Sequence, residues 1–236
     1  MTAPDDDGRA AVRQAASVSL ATGLYGVSFG ALAVAAGLSL PQTVALSLLM
    51  FSGGSQFAFI GVVGAGGLPG AAIATAGLLG VRNGLYGPQV APLLGVHGWR
   101  RVAAAQLTID ESTAVGTAHA GRRAARLGFW WTGIGVFVLW NTFTLVGALL
   151  GDALGDPRAY GLDAAAAAAF LGLVWPRVTG RNARHAQLVA AGAVVVALLA
   201  TPFVPAGIPV LLAAIVAILT GLLTAAPPTR PVASAA

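Results

Sequence analysis

From Gln14 to Val81 the chain runs 68 residues without an Asp, Glu, Lys or Arg. A bilayer crossing takes about 20 apolar residues, so this run alone holds about three such lengths. A second uncharged run, Ala186 to Thr229, holds two more, and Leu127 to Gly151 holds one. Only 9% of the 236 residues are charged, against about a quarter in a soluble domain, and the mean hydropathy is +0.81. The expected fold class is all-α: a polytopic transmembrane helix bundle of about seven spans (six to eight).

The expected division is a polar tail over 1–16, a single transmembrane domain over 17–224 and a cytoplasmic tail over 225–236. The first apolar segment is longer than the 7 to 15 residues of a signal-peptide core, so it reads as a retained helix over about 17–36. A second span is expected over Gln42 to Val63 and a third from after Pro69 to about Leu94. A polar helix candidate follows over 102–120, then spans over 127–150, 162–175, 186–200 and 208–223. Counting arginines on alternate sides gives nine against three whether or not 102–120 crosses, and both countings place the C-terminus in the cytoplasm. Gly26, Phe29, Gly30 and Gly37 have a counterpart in Asn141, Phe143, Gly147 and Gly151, which reads as inverted repeats.

All thirteen basic residues are Arg, and they sit in short loops beside apolar spans as topology signals. They form no aromatic-studded basic face, so no nucleic-acid partner is expected. The absence of Cys excludes disulfides and thiolate metal sites, and His97, His119 and His185 are too scattered for a metal site. No cofactor is expected. The glycine cluster at 67–70 lacks the Lys-Ser/Thr of a phosphate loop, so ATP coupling has no support.

Three charges are out of place. Arg82 lies in an apolar stretch, and Asp110 and Glu111 lie in the polar helix. An uncompensated charge at the bilayer centre costs about 2.5 to 3.5 kcal/mol, so such groups pair with one another or line a pathway. The segment FSGGSQF, Phe51 to Phe57, interrupts its span with Gly53 and Gly54 between Ser52 and Ser55. Freed backbone groups are tolerated there only against protein or a wet cavity, and a helix broken near the midplane offers N–H and C=O groups to a zwitterion. Close packing through small residues is the structural alternative. Gln56 adds a neutral donor and acceptor. His119, nine residues beyond Asp110, is a candidate for assisting Asp110 and Glu111 in proton movement. Ser55 in a Gly-x-Ser context also admits an intramembrane serine hydrolase, which requires a base within reach.

With YGVSFG (Tyr25 to Gly30), RNGLY (Arg82 to Tyr86) and LTIDES (Leu107 to Ser112), these motifs resemble the AzlC-type branched-chain amino acid permeases, large subunits of bacterial exporters. The resemblance covers about residues 17 to 175. Family members commonly carry Asn-x-Arg-His before the Tyr, where this chain has Gly80, Val81, Arg82 and Asn83. The resemblance implies a small hydrophobic AzlD-type membrane partner and export of valine, leucine, isoleucine and, in some members, methionine across the bacterial cytoplasmic membrane. The residue pattern fits such a substrate: Arg82 with the broken-helix N–H groups for a carboxylate, Asp110 or Glu111 for an ammonium, and Phe29, Phe51 and Phe57 for an apolar side chain. The combined expectation is proton-driven secondary export, with a non-transporting scaffold or partner subunit as the alternative.

Overall fold

The computed structural model describes residues 4–154, 161, 164–181 and 183–224. The expected tail at 225–236 and the link at 155–160 lie outside the described residues. All regular elements among the described residues are α-helices, and the chain divides into two compact units, Met1–Leu173 and Val174–Ala236.

In the first unit two long helices, α1 (Pro4–Ala35) and α8 (Arg122–Leu154), form a close pair. α1 starts at Pro4, within the segment expected as a polar tail. Proline suits a first helical turn, Asp6 and Asp7 near its start complement the helix dipole, and Ala11 and Ala15 are fully buried. The two helices run parallel. A Cβ on Gly8 would meet Leu127, one on Gly23 would come within 2.6 Å of Leu139, and one on Gly151 within 2.8 Å of Ala31. Partner numbers rise together along both helices.

The similarity between the Gly26–Gly37 and Asn141–Gly151 stretches is therefore not that of inverted repeats. Both stretches lie on helices of the same direction, and their glycines make one crossing. Gly26 faces the Trp140 carbonyl, Gly30 the Thr144 carbonyl, and Gly147 the Val27 carbonyl. Only glycine permits backbones to approach this closely.

The stretch expected as the second span is instead two helices, α2 (Leu40–Leu49) and α3 (Gly53–Gly64), that fold back as a hairpin. Ser39 and Gln42 form a capping box that starts α2, with Ser39 Oγ accepting from the Gln42 N–H and Gln42 Oε1 from the Ser39 N–H. α2 then descends along α8, with Ser47 beside Thr144 at 3.4 Å. The backbone leaves the helix at Met50–Ser52, and α3 returns until Gly64 lies beside Ala36 at the end of α1.

α4 (Pro69–Leu85) runs antiparallel to α3, with Gly80 beside Ser55. Turning at Tyr86, it continues as α5 (Gly87–Leu94), so the expected third stretch to Leu94 is found. The polar segment 102–120 is not one helix. It lies in a second hairpin, α6 (Trp99–Gln106) and α7 (Asp110–Thr117), interrupted at Leu107–Ile109. Its tip reaches Gly133, and α7 then returns along α8 past Gly128 until Gly116 meets Ala125 and Phe129. The hairpins thus enter from opposite ends of the α1–α8 pair and meet near its middle, where Gln106 Nε2 donates to Leu48 O at 3.0 Å.

α9 (Ala164–Thr179) begins in the first unit and ends in the second, where α10 (Arg184–Ala200) and α11 (Ile208–Thr224) pack together through Gly192 and Val216. Polarity is reversed relative to a soluble protein. Ser19, Thr43, Ser47, Thr132 and Thr144 are buried, whereas Leu20, Leu24, Ile73, Val138 and Leu149 are exposed. α1 and α8 are long and apolar enough to cross a membrane.

We predict that Gly30→Ala destabilises the chain by about 1 to 3 kcal/mol, through overpacking against Thr144. Gly61→Ala in α3, where a Cβ meets open space, leaves stability unchanged or raised. Thermal unfolding in detergent measures both.

Candidate functional site

The hairpin tips bring the N-termini of α3 and α7 to one cavity of about 290 Å³. Its wall includes Ser52, Gly53 and Gly54 from the first tip and Ile109, Asp110 and Glu111 from the second. Arg82 and Asn83 come from α4, Thr22 and Tyr25 from α1, Val136 and Trp140 from α8, and Phe170 from α9. The first turn of a helix has N–H groups without intrahelical partners and a partial positive charge. Two such ends therefore face one chamber, one carrying glycines and the other two carboxylates.

Across this chamber Arg82 Nη2 lies 2.5 Å from Asp110 Oδ2, and the Tyr86 hydroxyl donates to the other carboxylate oxygen. Asp110 is thus held by two partners. Glu111 is half-buried and belongs to neither of the ion pairs among the described residues, Arg82–Asp110 and His119–Asp7. Two further buried polar atoms of wall residues have no hydrogen-bond partner among the described residues: Arg82 Nε, a donor, and Asn83 Oδ1, an acceptor. Buried polar atoms are nearly always satisfied, so each of the two is open to a partner from outside the chain.

The breaks themselves are stabilised by side chains. Gln56 is fully buried. Its Nε2 lies within 2.8 to 3.4 Å of the Leu46, Ser47 and Met50 carbonyls, while its Oε1 accepts from Trp140 Nε1 at 2.9 Å. It therefore supports the end of α2 and does not line the cavity, contrary to its expected place beside a substrate. In the second hairpin Ser112 Oγ accepts from the Ile109 N–H and donates to Leu107 O at 2.6 Å.

Of the expected site residues, Arg82, Asp110, Glu111, Gly53, Gly54, Phe51 and Phe57 line the cavity. Phe29 sits behind the wall, edge-on to Phe57 and stacked with Trp140. Ser55 is buried against Gly80, and among the described residues its hydroxyl has no hydrogen-bond partner, so no base is paired with it there. His119 lies beyond the far end of α7, with Nδ1 3.0 Å from Asp7 Oδ1 and Nε2 3.2 Å from Gln14 Oε1, outside the chamber.

Trp140, Asn83, Val136 and Phe170 are wall residues the sequence did not single out. Trp140 sits within an ordinary apolar span, and only its contact with Gln56 distinguishes it. The Leu107–Ile109 break carries no Gly or Pro, so it left no mark except the neighbouring acidic pair.

The fold and the chamber define a helical bundle with a polar site set among apolar side chains. Comparison with protein families matches residues 17–154 to the family described as AzlC protein. The chain belongs to the AzlC family, whose members are associated with amino-acid transport and a membrane location. The match contains both hairpins and ends before α9, earlier than the resemblance over 17–175 suggested. Comparisons with curated proteins and with solved structures each gave no match.

Gln56→Leu should leave the carbonyls at the end of α2 without donors and lower stability by about 1 to 3 kcal/mol. Thermal unfolding in detergent checks this, and an unchanged midpoint would show that water replaces the amide.

Proposed function

We propose that this protein is the large subunit of a two-component exporter that moves neutral branched-chain amino acids out of the cell in exchange for protons. The observation that carries this reading is the composition of the chamber wall. An unpaired cationic donor, an unpaired acceptor, a carboxylate outside any ion pair and a ring of apolar side chains surround one small space. A zwitterion with an apolar side chain offers the complement of each. Its carboxylate suits Arg82 Nε and the N–H groups of Gly53 and Gly54, and its ammonium suits Glu111 and Asn83 Oδ1. Phe51, Phe57, Val136 and Trp140 suit its branched side chain. The volume is at the small end of the range for ligand sites, about 300 Å³.

Glu111 also supplies a coupling rule. It holds either an ammonium or a proton, not both at full strength, so the substrate leaves as a proton arrives. Asp110, tied to Arg82 and Tyr86, keeps the site's charge in place. Transported substrates of this kind are valine, leucine and isoleucine, with methionine as the unbranched analogue. The family resemblance adds a small AzlD-type membrane partner.

Arm lengths support placing the chamber at mid-depth. Arms of 10 and 12 residues in the first hairpin span about 15 and 18 Å, roughly half of a 30 Å hydrocarbon core. In this frame the first unit has three crossings, α1, α4–α5 and α8, and two re-entrant hairpins that serve as opposed gates. Arg9, Arg13, Arg100, Arg101, Arg122, Arg123 and Arg126 then share one end, and the opposite end carries no arginine among the described residues. The seven-span counting left the sides at nine to three because it took 42–63 as a crossing. By the positive-inside rule the basic end is cytoplasmic and holds the N-terminus. With α9, α10 and α11 each crossing, six spans return the C-terminus to the cytoplasm of a bacterial inner membrane.

Counterflow of labelled valine in vesicles, with the small partner co-expressed, tests the reading. Glu111→Gln should abolish exchange while the protein still inserts. Gly54→Ala adds a methyl at ordinary contact distance from Arg82 and Phe170, so it should fold normally and bind valine about tenfold more weakly, about 1.4 kcal/mol. Parental valine binding in both variants would refute the site.

A further inference from the structure

The basic end of the α1–α8 pair plays no part in the transport chemistry, yet it is built as a site. Two adjoining hollows flank the start of α8. One, of about 450 Å³, is lined by Arg122, Arg123, Arg126, Leu127, Trp130 and Trp131. The other, of about 570 Å³, is lined by Arg9, Arg13, Val12 and Ala16 of α1, and again by Arg123 and Leu127.

Arg9 and Arg13, like Arg122 and Arg126, are spaced four apart on their helices, a like-charge arrangement that disfavours the helix unless an anion covers it. Among the described residues none of these four is in a salt bridge. Arg126 Nε donates to Leu93 O at 3.1 Å, and Arg122 Nη2 lies 3.5 Å from Pro92 O; these contacts hold both side chains in position without neutralising them. The hollows are also graded. Arginines occupy the first two turns of α8, and Trp130 and the largely exposed Trp131 lie about 6 to 12 Å further along. Phosphate at the arginines with an acyl chain along the indoles is the arrangement such a gradient fits.

We propose that this end binds an anionic phospholipid carrying two phosphates joined by a glycerol, one phosphate in each hollow, with Arg123 shared between them. The proposal rests on the membrane location of the chain and is independent of what the chamber transports.

Native mass spectrometry of the purified full chain tests it, using diphosphatidylglycerol, phosphatidylglycerol and phosphatidylcholine as probes. Diphosphatidylglycerol should be retained at least tenfold better than phosphatidylcholine, and Arg123→Gln should remove most of that preference. Arg100→Gln, with an equally cationic residue at the same end but outside both hollows, should leave it intact. Should Arg123→Gln fail to insert, the Arg9→Gln/Arg13→Gln pair gives the same reading for one hollow. Equal retention of all three lipids, or equal loss in Arg100→Gln, overturns the proposal. Displacement of the lipid by excess inorganic phosphate also overturns it, because the site would then be one for a free anion.

Discussion

A helix that breaks inside an apolar bundle survives only where its freed carbonyls find donors, and Gln56 is the residue that meets this demand for the first hairpin. Its amide nitrogen reaches the carbonyls around the end of α2, and its oxygen is fixed by the Trp140 indole. Helix α3 can therefore start afresh at Gly53 with its N–H groups turned towards the chamber. Ser112 does the equivalent for the second hairpin by bonding both sides of the Leu107–Ile109 break. Everything the site offers, from the two positive helix ends to the placement of Asp110 and Glu111, follows from these two stabilised interruptions.

The hairpins need something fixed to work against, and the α1–α8 pair supplies it. Its glycines bring the two backbones into direct contact over several turns, which leaves little room for sliding. Both tips are pinned against it: Gln56 holds Met50 O and the Trp140 indole, Ser112 holds Leu107 O, and Phe51, Ser52, Thr108 and Ile109 are buried.

Much of the site was legible in the sequence because charge and glycine are conspicuous in an apolar chain. Arg82, Asp110 and Glu111 stood out by cost alone, and the double glycine marked the first break. The path of the chain through that break was not legible. A kinked crossing and a hairpin of two half-length helices have the same composition, and only the contact of Gly64 with Ala36 separates them. In the six-span frame proposed above, that single ambiguity also alters the arginine count, since every later segment changes side when one crossing is removed. The second break was hidden for a different reason: Leu107, Thr108 and Ile109 carry no turn chemistry, and the interruption is imposed by Ser112 and by packing. Likewise the glycine similarity between α1 and α8 was real, but it recorded a shared crossing of parallel helices and not a repeated unit.

The central claim is that the first hairpin's tip reaches an aqueous, substrate-bearing chamber from within the membrane. Because the chain has no cysteine, a single Ser52→Cys reports on this directly through its rate of modification by a charged, membrane-impermeant thiol reagent. The account predicts modification of the native protein in vesicles, slowed by valine and unaffected by glutamate. A thiol that reacts only with lipid-soluble reagents, or at a rate valine does not change, would contradict it.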